Sequence, residues 1–363
     1  MKYQCLQPFR HLLWLALLLL ALPCSSYAQP ATGVGFAPIE IHDPVNAGSM
    51  PGYVFYPSAA PTENTRIGLY DLHAKRGAPA IPGAKPLVVI SHGHGGSDLG
   101  HHDLAVYLAS HGFIVATLQH PKDNYKDTSG IGTPAVLIGR PIQVEATITM
   151  LLDDAHWKAL IDPEKIGVAG FSAGGYTALM LVGAVPRFTR LISFCKAHPD
   201  NTNVCTPFRE MEAQLLGQGW TSTEKYLTSI QNKLQRWGDP DDPRVKAAFA
   251  MSPWGMVFDQ AGLGSINRPV YLYDGADDQF QPIQYNTLHA AALIKTLVGI
   301  KLIPKAGHFV FLAPCSKEMM SAVPRVCTDP PGVNRAIAHR QINADALSFF
   351  RGTLHVLPEA VGN

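Results

Sequence analysis

One hexapeptide restricts the fold of this chain more than any other feature. Gly170-Phe171-Ser172-Ala173-Gly174-Gly175 follows the short apolar run Ile166 to Ala169 and precedes a helical pattern that starts near Tyr176. Such a run reads as a buried strand, and glycines on both sides of a serine permit a turn so tight that strand and helix backbones nearly touch. The central residue is then forced into a strained conformation with its hydroxyl projecting from the turn. Further short runs, Leu87 to Ser91, Phe113 to Leu118, Val245 to Met251, Val270 to Tyr273 and Ile300 to Ile303, alternate with helical patterns. That alternation is the mark of a mostly parallel sheet with crossover helices, an α/β architecture. Val144, Ile148, Leu151 and Leu152 form the apolar stripe of one such helix. Gly52 to Tyr56 and Arg66 to Leu72 read as antiparallel strands preceding it.

The alternation breaks once, over residues 187–243, where helical patterns at Phe208 to Gly217 and Thr223 to Trp237 stand in place of the next strand. An inserted segment there is expected to cap the sheet and help shape a substrate pocket, because loops at the C-terminal ends of parallel strands are where such folds bind ligands.

A serine hydroxyl is a weak nucleophile at neutral pH and needs a base, which in turn needs a group that holds its tautomer and stabilises its charge. After the run ending at Tyr273 comes Gly275-Ala276-Asp277-Asp278-Gln279-Phe280-Gln281-Pro282, and after Ile303 comes Ala306-Gly307-His308-Phe309. The order Ser, acid, His makes Ser172 the candidate nucleophile, His308 the base and Asp278 the acid. Asp278 is preferred over its neighbour Asp277 by its spacing from Gly275 and Pro282. Ser91-His92-Gly93-His94-Gly95-Gly96 supplies a glycine-rich turn after a strand, so the N–H groups of His94 and Ala173 are the candidate oxyanion donors. Trp254, in Met251-Ser252-Pro253-Trp254-Gly255 at another strand end, is a candidate lining residue of the acyl pocket.

His92, His94, Asp98, His101, His102 and Asp103 crowd into one stretch and raise the question of a metal. The H-x-H-x-D-H order of metallo-hydrolases is missing, since Gly95-Gly96-Ser97 follow His94, and adjacent His101 and His102 point apart on a helix. No metal and no cofactor is expected.

The motifs resemble the α/β-hydrolase superfamily, and within it Leu87 to Gly93, Leu108 to Phe113, Asp162 to Gly167 and Ser172 to Leu179 look like the bacterial "predicted dienelactone hydrolase" group, related to platelet-activating-factor acetylhydrolases. The resemblance runs from about Gly52 to about Phe311. It implies an α/β-hydrolase fold and carboxylic-ester hydrolysis, with a small-molecule or lipid-type ester as substrate and lipid degradation as one setting. The elbow holds Ser172 where dienelactone hydrolases place a cysteine, and the acetylhydrolases carry bulky apolar residues where this chain has His94 and Ala173. Polyester cleavage of the cutinase kind, peptide hydrolysis and a non-catalytic binding role on the same fold remain open at this level.

The N-terminus carries Arg10 and His11, an apolar run from Leu12 to Leu22, and Ser26-Tyr27-Ala28. This predicts a signal peptide over residues 1–28 and a single α/β domain over 29–363, exported to the periplasm or the medium with no transmembrane anchor. Cys5 and Cys24 fall in the leader, leaving Cys195, Cys205, Cys315 and Cys327; the local pairings Cys195–Cys205 and Cys315–Cys327 each close a short loop. With 29 Lys+Arg against 28 Asp+Glu, the chain has no field of one sign to attract nucleic acid.

Overall fold

The computed structural model describes residues 33–237 and 240–356; the expected signal peptide lies outside them. The strands are β1 (Gly33–His42), β2 (Ser49–Ser58), β3 (Asn64–Ile67), β4 (Tyr70–His73), β5 (Lys75–Arg76), β6 (Lys85–Ser91), β7 (Ile114–Leu118), β8 (Ile161–Phe171), β9 (Val245–Met251), β10 (Val270–Gly275) and β11 (Leu297–Ile303). Nine of them form one sheet in the order β11-β10-β9-β8-β6-β7-β2-β1-β5. From β7 to β11 the pairings are parallel, whereas β2 joins β7, and β1 joins β2, antiparallel.

Alternation along the central strands sends apolar side chains to both faces, as a sheet covered on both sides requires. In β6, Leu87 and Val89 enter one apolar cluster and Val88 and Ile90 the other. Helix Gly139–Asp153 buries Val144, Ile148 and Leu151 on the first face, beside helix Ala173–Leu181. On the opposite face helix His102–Ser110 contributes Leu104 and Leu108, and the long helix Arg335–Thr353 contributes Ile342, Ala346 and Phe350. The fold is the α/β-hydrolase arrangement, a mostly parallel sheet between helical layers.

Three departures from the sequence reading have local causes. Arg66 to Leu72 is not one strand: Gly68, at φ +56°, makes a two-residue turn, and β3 and β4 pair as a hairpin apart from the main sheet. Strand β1, between β2 and the two-residue edge strand β5, went unread: its first four residues are all buried while Pro38, Glu40 and His42 are exposed, so no single period runs through it. Within 187–243 lie three helices, Arg190–Ala197, Thr202–Gly217 and Thr223–Trp237. The last turns Leu227, Ile230 and Leu234 into the same apolar cluster as Val89 and Val144. Helix Arg190–Ala197 is tied to the next by the disulfide Cys195–Cys205, and a second disulfide joins Cys315 to Cys327.

Candidate active site

Ser172 sits between β8 and helix Ala173–Leu181 with φ +55°, in a region that L-residues rarely occupy. The turn leaves no room for side chains around it. A Cβ at Gly170 would overlap the carbonyl of Gly174, and one at Gly174 would overlap the carbonyl of Ser91. The Ser172 N–H donates to the carbonyl of Met251 on neighbouring β9, which fixes the elbow against the sheet.

The structure brings Ser172, His308 and Asp278 together. The Ser172 hydroxyl donates to His308 Nε2 at 3.0 Å, and His308 Nδ1 donates to Asp278 Oδ2 at 2.6 Å. The other carboxylate oxygen, Asp278 Oδ1, accepts from the N–H groups of Phe280 and Gln281. Burial pushes the Asp278 carboxyl pKa up, but the hydrogen bond and charge of His308 outweigh it and hold the group below the usual range. Asp277 is exposed. The Phe171 ring lies 4.7 Å, centre to centre, from the His308 ring and limits its rotation.

A buried set of groups stands behind the acid. Ser252, itself at φ +42°, bridges Asp278 Oδ2 at 2.9 Å and Asp274 Oδ1 at 2.5 Å, and Thr287 donates to Asp274 Oδ2. Burial and the charge of Asp278 push the Asp274 carboxyl well above the usual range. Asp274 Oδ1 also accepts from the Gly275 N–H at 2.8 Å, and the single proton of Ser252 lies between the oxygens of the two carboxyls.

The candidate oxyanion donors lie on the other side of the elbow. Among the described residues neither the His94 nor the Ala173 N–H donates elsewhere. The loop carrying His94 is fastened from beneath by Asp123 and the fully buried Arg140. Asp123 accepts from His94 Nδ1 at 2.7 Å and from the Gly95 N–H at 3.1 Å. Arg140 donates to Asp123 at 2.5 Å and also to the carbonyl of His92. Burial alone would raise the Asp123 carboxyl pKa; Arg140 and His94 reverse the shift and hold the group well below the usual range. Beside them His92 accepts from the His120 N–H, and burial keeps it neutral, with a pKa lowered to about 3.

The turn that carries His308 is held in the same way. His101 Nδ1 donates to the carbonyl of Phe311, and His339 Nε2 donates to that of Val310. His92, His94, Asp98, His101, His102 and Asp103, read above as a crowded stretch, therefore face several different neighbours, and among the described residues no three His, Cys, Asp or Glu side chains converge on a metal-sized point.

A cleft of about 580 Å³ opens at the relay, its inner end formed by Gly93, His94, Phe171 and Phe309, the chain neighbours of the candidate donors, nucleophile and base. None of its described lining residues comes from residues 187–243, contrary to the pocket-shaping role expected for that segment. The reason is that its helices spend their apolar faces on the core. Trp254 does not line this cleft; it is partly buried against Tyr176, ring centres 5.6 Å apart.

Arg140, Asp123, Ser252, Asp274 and His339 went unnoticed in the sequence. Arg140 left one local trace, a cation between Ile138 and Ile142 in an apolar helix. Its partner lies 17 residues away on a loop, and no spacing rule links the two.

A family model described as platelet-activating factor acetylhydrolase, isoform II, matches residues 62–135. The putative esterase NocK of Nocardia uniformis subsp. tsuyamanensis is 32% identical over 124 residues, which cover 33% of this chain and 35% of that protein. The chain thus spans about a third of the length of this curated relative. The solved ferulic acid esterase from Streptomyces cinnamoneus superposes with a TM-score of 0.60 over 92% of this chain and 94% of that one at 19% identity, a likeness of fold. Sheet order, elbow and these likenesses agree: the chain has the α/β-hydrolase fold and is similar, over part of its length, to esterases of that fold.

Proposed function

We propose that this protein is an exported serine hydrolase that cleaves carboxylic esters through an acyl-enzyme on Ser172. The observation that carries the reading is the continuous relay Ser172–His308–Asp278 at the inner end of an open cleft. Ser172 Oγ attacks the ester carbonyl carbon while its proton passes to His308 Nε2. The carbonyl oxygen becomes an oxyanion that the N–H groups of His94 and Ala173 receive. Collapse expels the alcohol, protonated by His308, and leaves the acyl group on Ser172; water, deprotonated by His308, then releases the acid. Asp278 stays ionised and stabilises the imidazolium. Similarity to esterases over part of the chain supports an ester rather than a peptide as substrate. Export is supported by the two disulfides and by the leader-like N-terminus; among the described residues no helix is long and apolar enough to cross a membrane.

Fluorophosphonate labelling tests the reading directly. Stoichiometric modification at Ser172, hydrolysis of p-nitrophenyl acetate, and a loss of about 10³-fold or more in kcat for Ser172→Ala and for His308→Ala, with the double variant scarcely worse, are the expected results. Absence of both labelling and turnover in folded protein makes the chain a binding protein on a hydrolase fold. Faster cleavage of peptides or polyesters than of simple esters reassigns the substrate.

A further inference from the structure

The cleft at the relay is built from parts that the sheet does not require. One wall is the β3–β4 hairpin, whose turn presents Ile67, Leu69 and Tyr70. The facing wall is the excursion after His308, where Leu312, Met319 and Val323 turn inward and the disulfide Cys315–Cys327 closes the segment. The two walls are clasped to one another across the outside. Arg66 Nη2 meets Glu318 at 2.7 Å, and the Ser316 hydroxyl donates to the carbonyl of Leu69 at 2.7 Å. The clasp sets the width of the cleft. Leu69 is 39% and Val323 40% exposed, and together with Ile67, Leu312 and Met319 they give the cleft two apolar walls. Among the described lining residues, Asp98 is the one carboxylate and Lys126 the one ammonium, and their charges oppose each other. A carboxylate or phosphate on the substrate would therefore find no net counter-charge here, while an uncharged apolar group would find walls on two sides.

We infer that this cleft binds one bulky, uncharged apolar group of the ester, aromatic or branched, and that the clasped hairpin and disulfide-closed segment select for it. The inference rests on the esterase reading of Ser172. The volume, about 580 Å³, lies within the range of small-molecule sites, ~300–1,000 Å³, which is far more than an acetyl or methyl group fills. Phe171 and Phe309, which line the cleft, are the chain neighbours of Ser172 and His308, so the cleft adjoins the relay.

The test compares methyl acetate with methyl cinnamate, which places the bulk on the acyl side, and with 1-naphthylmethyl acetate, which places it on the alcohol side without making the alcohol a better leaving group; methyl 4-carboxycinnamate adds a charge. One of the two bulky esters should exceed methyl acetate in kcat/KM by about tenfold or more, and the charged ester should lose that gain. Leu69→Glu and Val323→Glu, both at exposed positions, should each raise KM for the favoured ester by about tenfold, a larger loss than either causes for methyl acetate. Equal kcat/KM for small and bulky esters, or variants that affect both alike, overturns the inference while the esterase reading stands. Absence of turnover on every ester together with absence of fluorophosphonate labelling removes the esterase reading itself.

Discussion

At the scale of single residues, two adjacent aspartates have opposite fates because a turn can aim only one of them at the imidazole. Asp278 is buried and bonded to His308 Nδ1, whereas Asp277 faces solvent. Asp278→Asn should keep the fold, favour the wrong imidazole tautomer and lower kcat by as much as ~10⁴-fold, while Asp277→Asn should stay near the parent value. Behind Asp278, burial and the neighbouring carboxylate push the Asp274 carboxyl well above its usual range, which favours its neutral form. An amide reproduces a neutral acid's donor and acceptor, so Asp274→Asn should retain most of the activity, and Asp274→Ala, which leaves Ser252 and Thr287 without their partner, should not. Circular dichroism to confirm folding and kcat on one activated ester decide all four variants. Equal losses at Asp274→Asn and Asp278→Asn would mean that Asp274 is ionised and shares the role of the acid.

At the scale of elements, the turn His308–Phe311 depends on the long C-terminal helix through His339. Its Nδ1 lies 2.6 Å from Asp103 Oδ2 and its Nε2 lies 2.8 Å from the carbonyl of Val310. Both partners only accept, so the ring must carry both protons. Burial lowers its pKa, but the charge and hydrogen bond of Asp103 and the bond to Val310 together raise it above the ordinary value, against the opposing charge of nearby Arg335. His101 and His102 also face this cluster, and burial keeps His101 neutral with a pKa lowered to about 4. A basic group whose pKa is raised on folding contributes stability that is complete below its unfolded pKa, about 6.5, and disappears as pH rises through the folded value. The difference in Tm between the parent and His339→Gln should therefore be largest below about pH 6.5 and shrink on the alkaline side. A difference that stays constant from acid to alkaline pH would show that His339 is neutral and that its role is packing alone.

At the scale of the whole molecule, the two disulfides close loops of similar length but serve different parts of the architecture. Cys195–Cys205 joins two helices of the 187–243 segment, none of whose described residues lines the cleft, while Cys315 itself lines it and Cys315–Cys327 closes one wall. Removing either should cost about 2–3 kcal/mol of stability in the chain-entropy account. Only the pair Cys315→Ser/Cys327→Ser should also raise KM for the favoured bulky ester, with the rate of fluorophosphonate labelling preserved. Thermal melts and steady-state kinetics on both double variants separate the effects; a KM change shared by both would mean that the 187–243 segment reaches the substrate after all.

The sequence by itself determined the parallel strands, the serine elbow and the positions of Ser172, Asp278 and His308, because each rests on neighbours within a few residues: a glycine beside a serine, a strand ending before an acid, a glycine before a histidine. Of the three pairings that four cysteines allow, short separation favoured the two local ones, 10 and 12 residues apart, which the structure joins. What holds those groups in place was decided only by the tertiary structure. Arg140 meets Asp123 across 17 residues, Ser252 meets Asp278 across 26, and Asp103 meets His339 across 236. None of these pairs shares an element or a spacing: Arg140 is on helix Gly139–Asp153 and Asp123 on a loop, Ser252 and Asp278 follow the neighbouring strands β9 and β10, and Asp103 and His339 are on two helices of the same sheet face. The cleft is of the same kind. Its walls come from a hairpin near residue 68 and a loop after residue 312, and the helical insertion that local pattern marked for the task instead packs into the core, where its apolar stripe finds more area to bury.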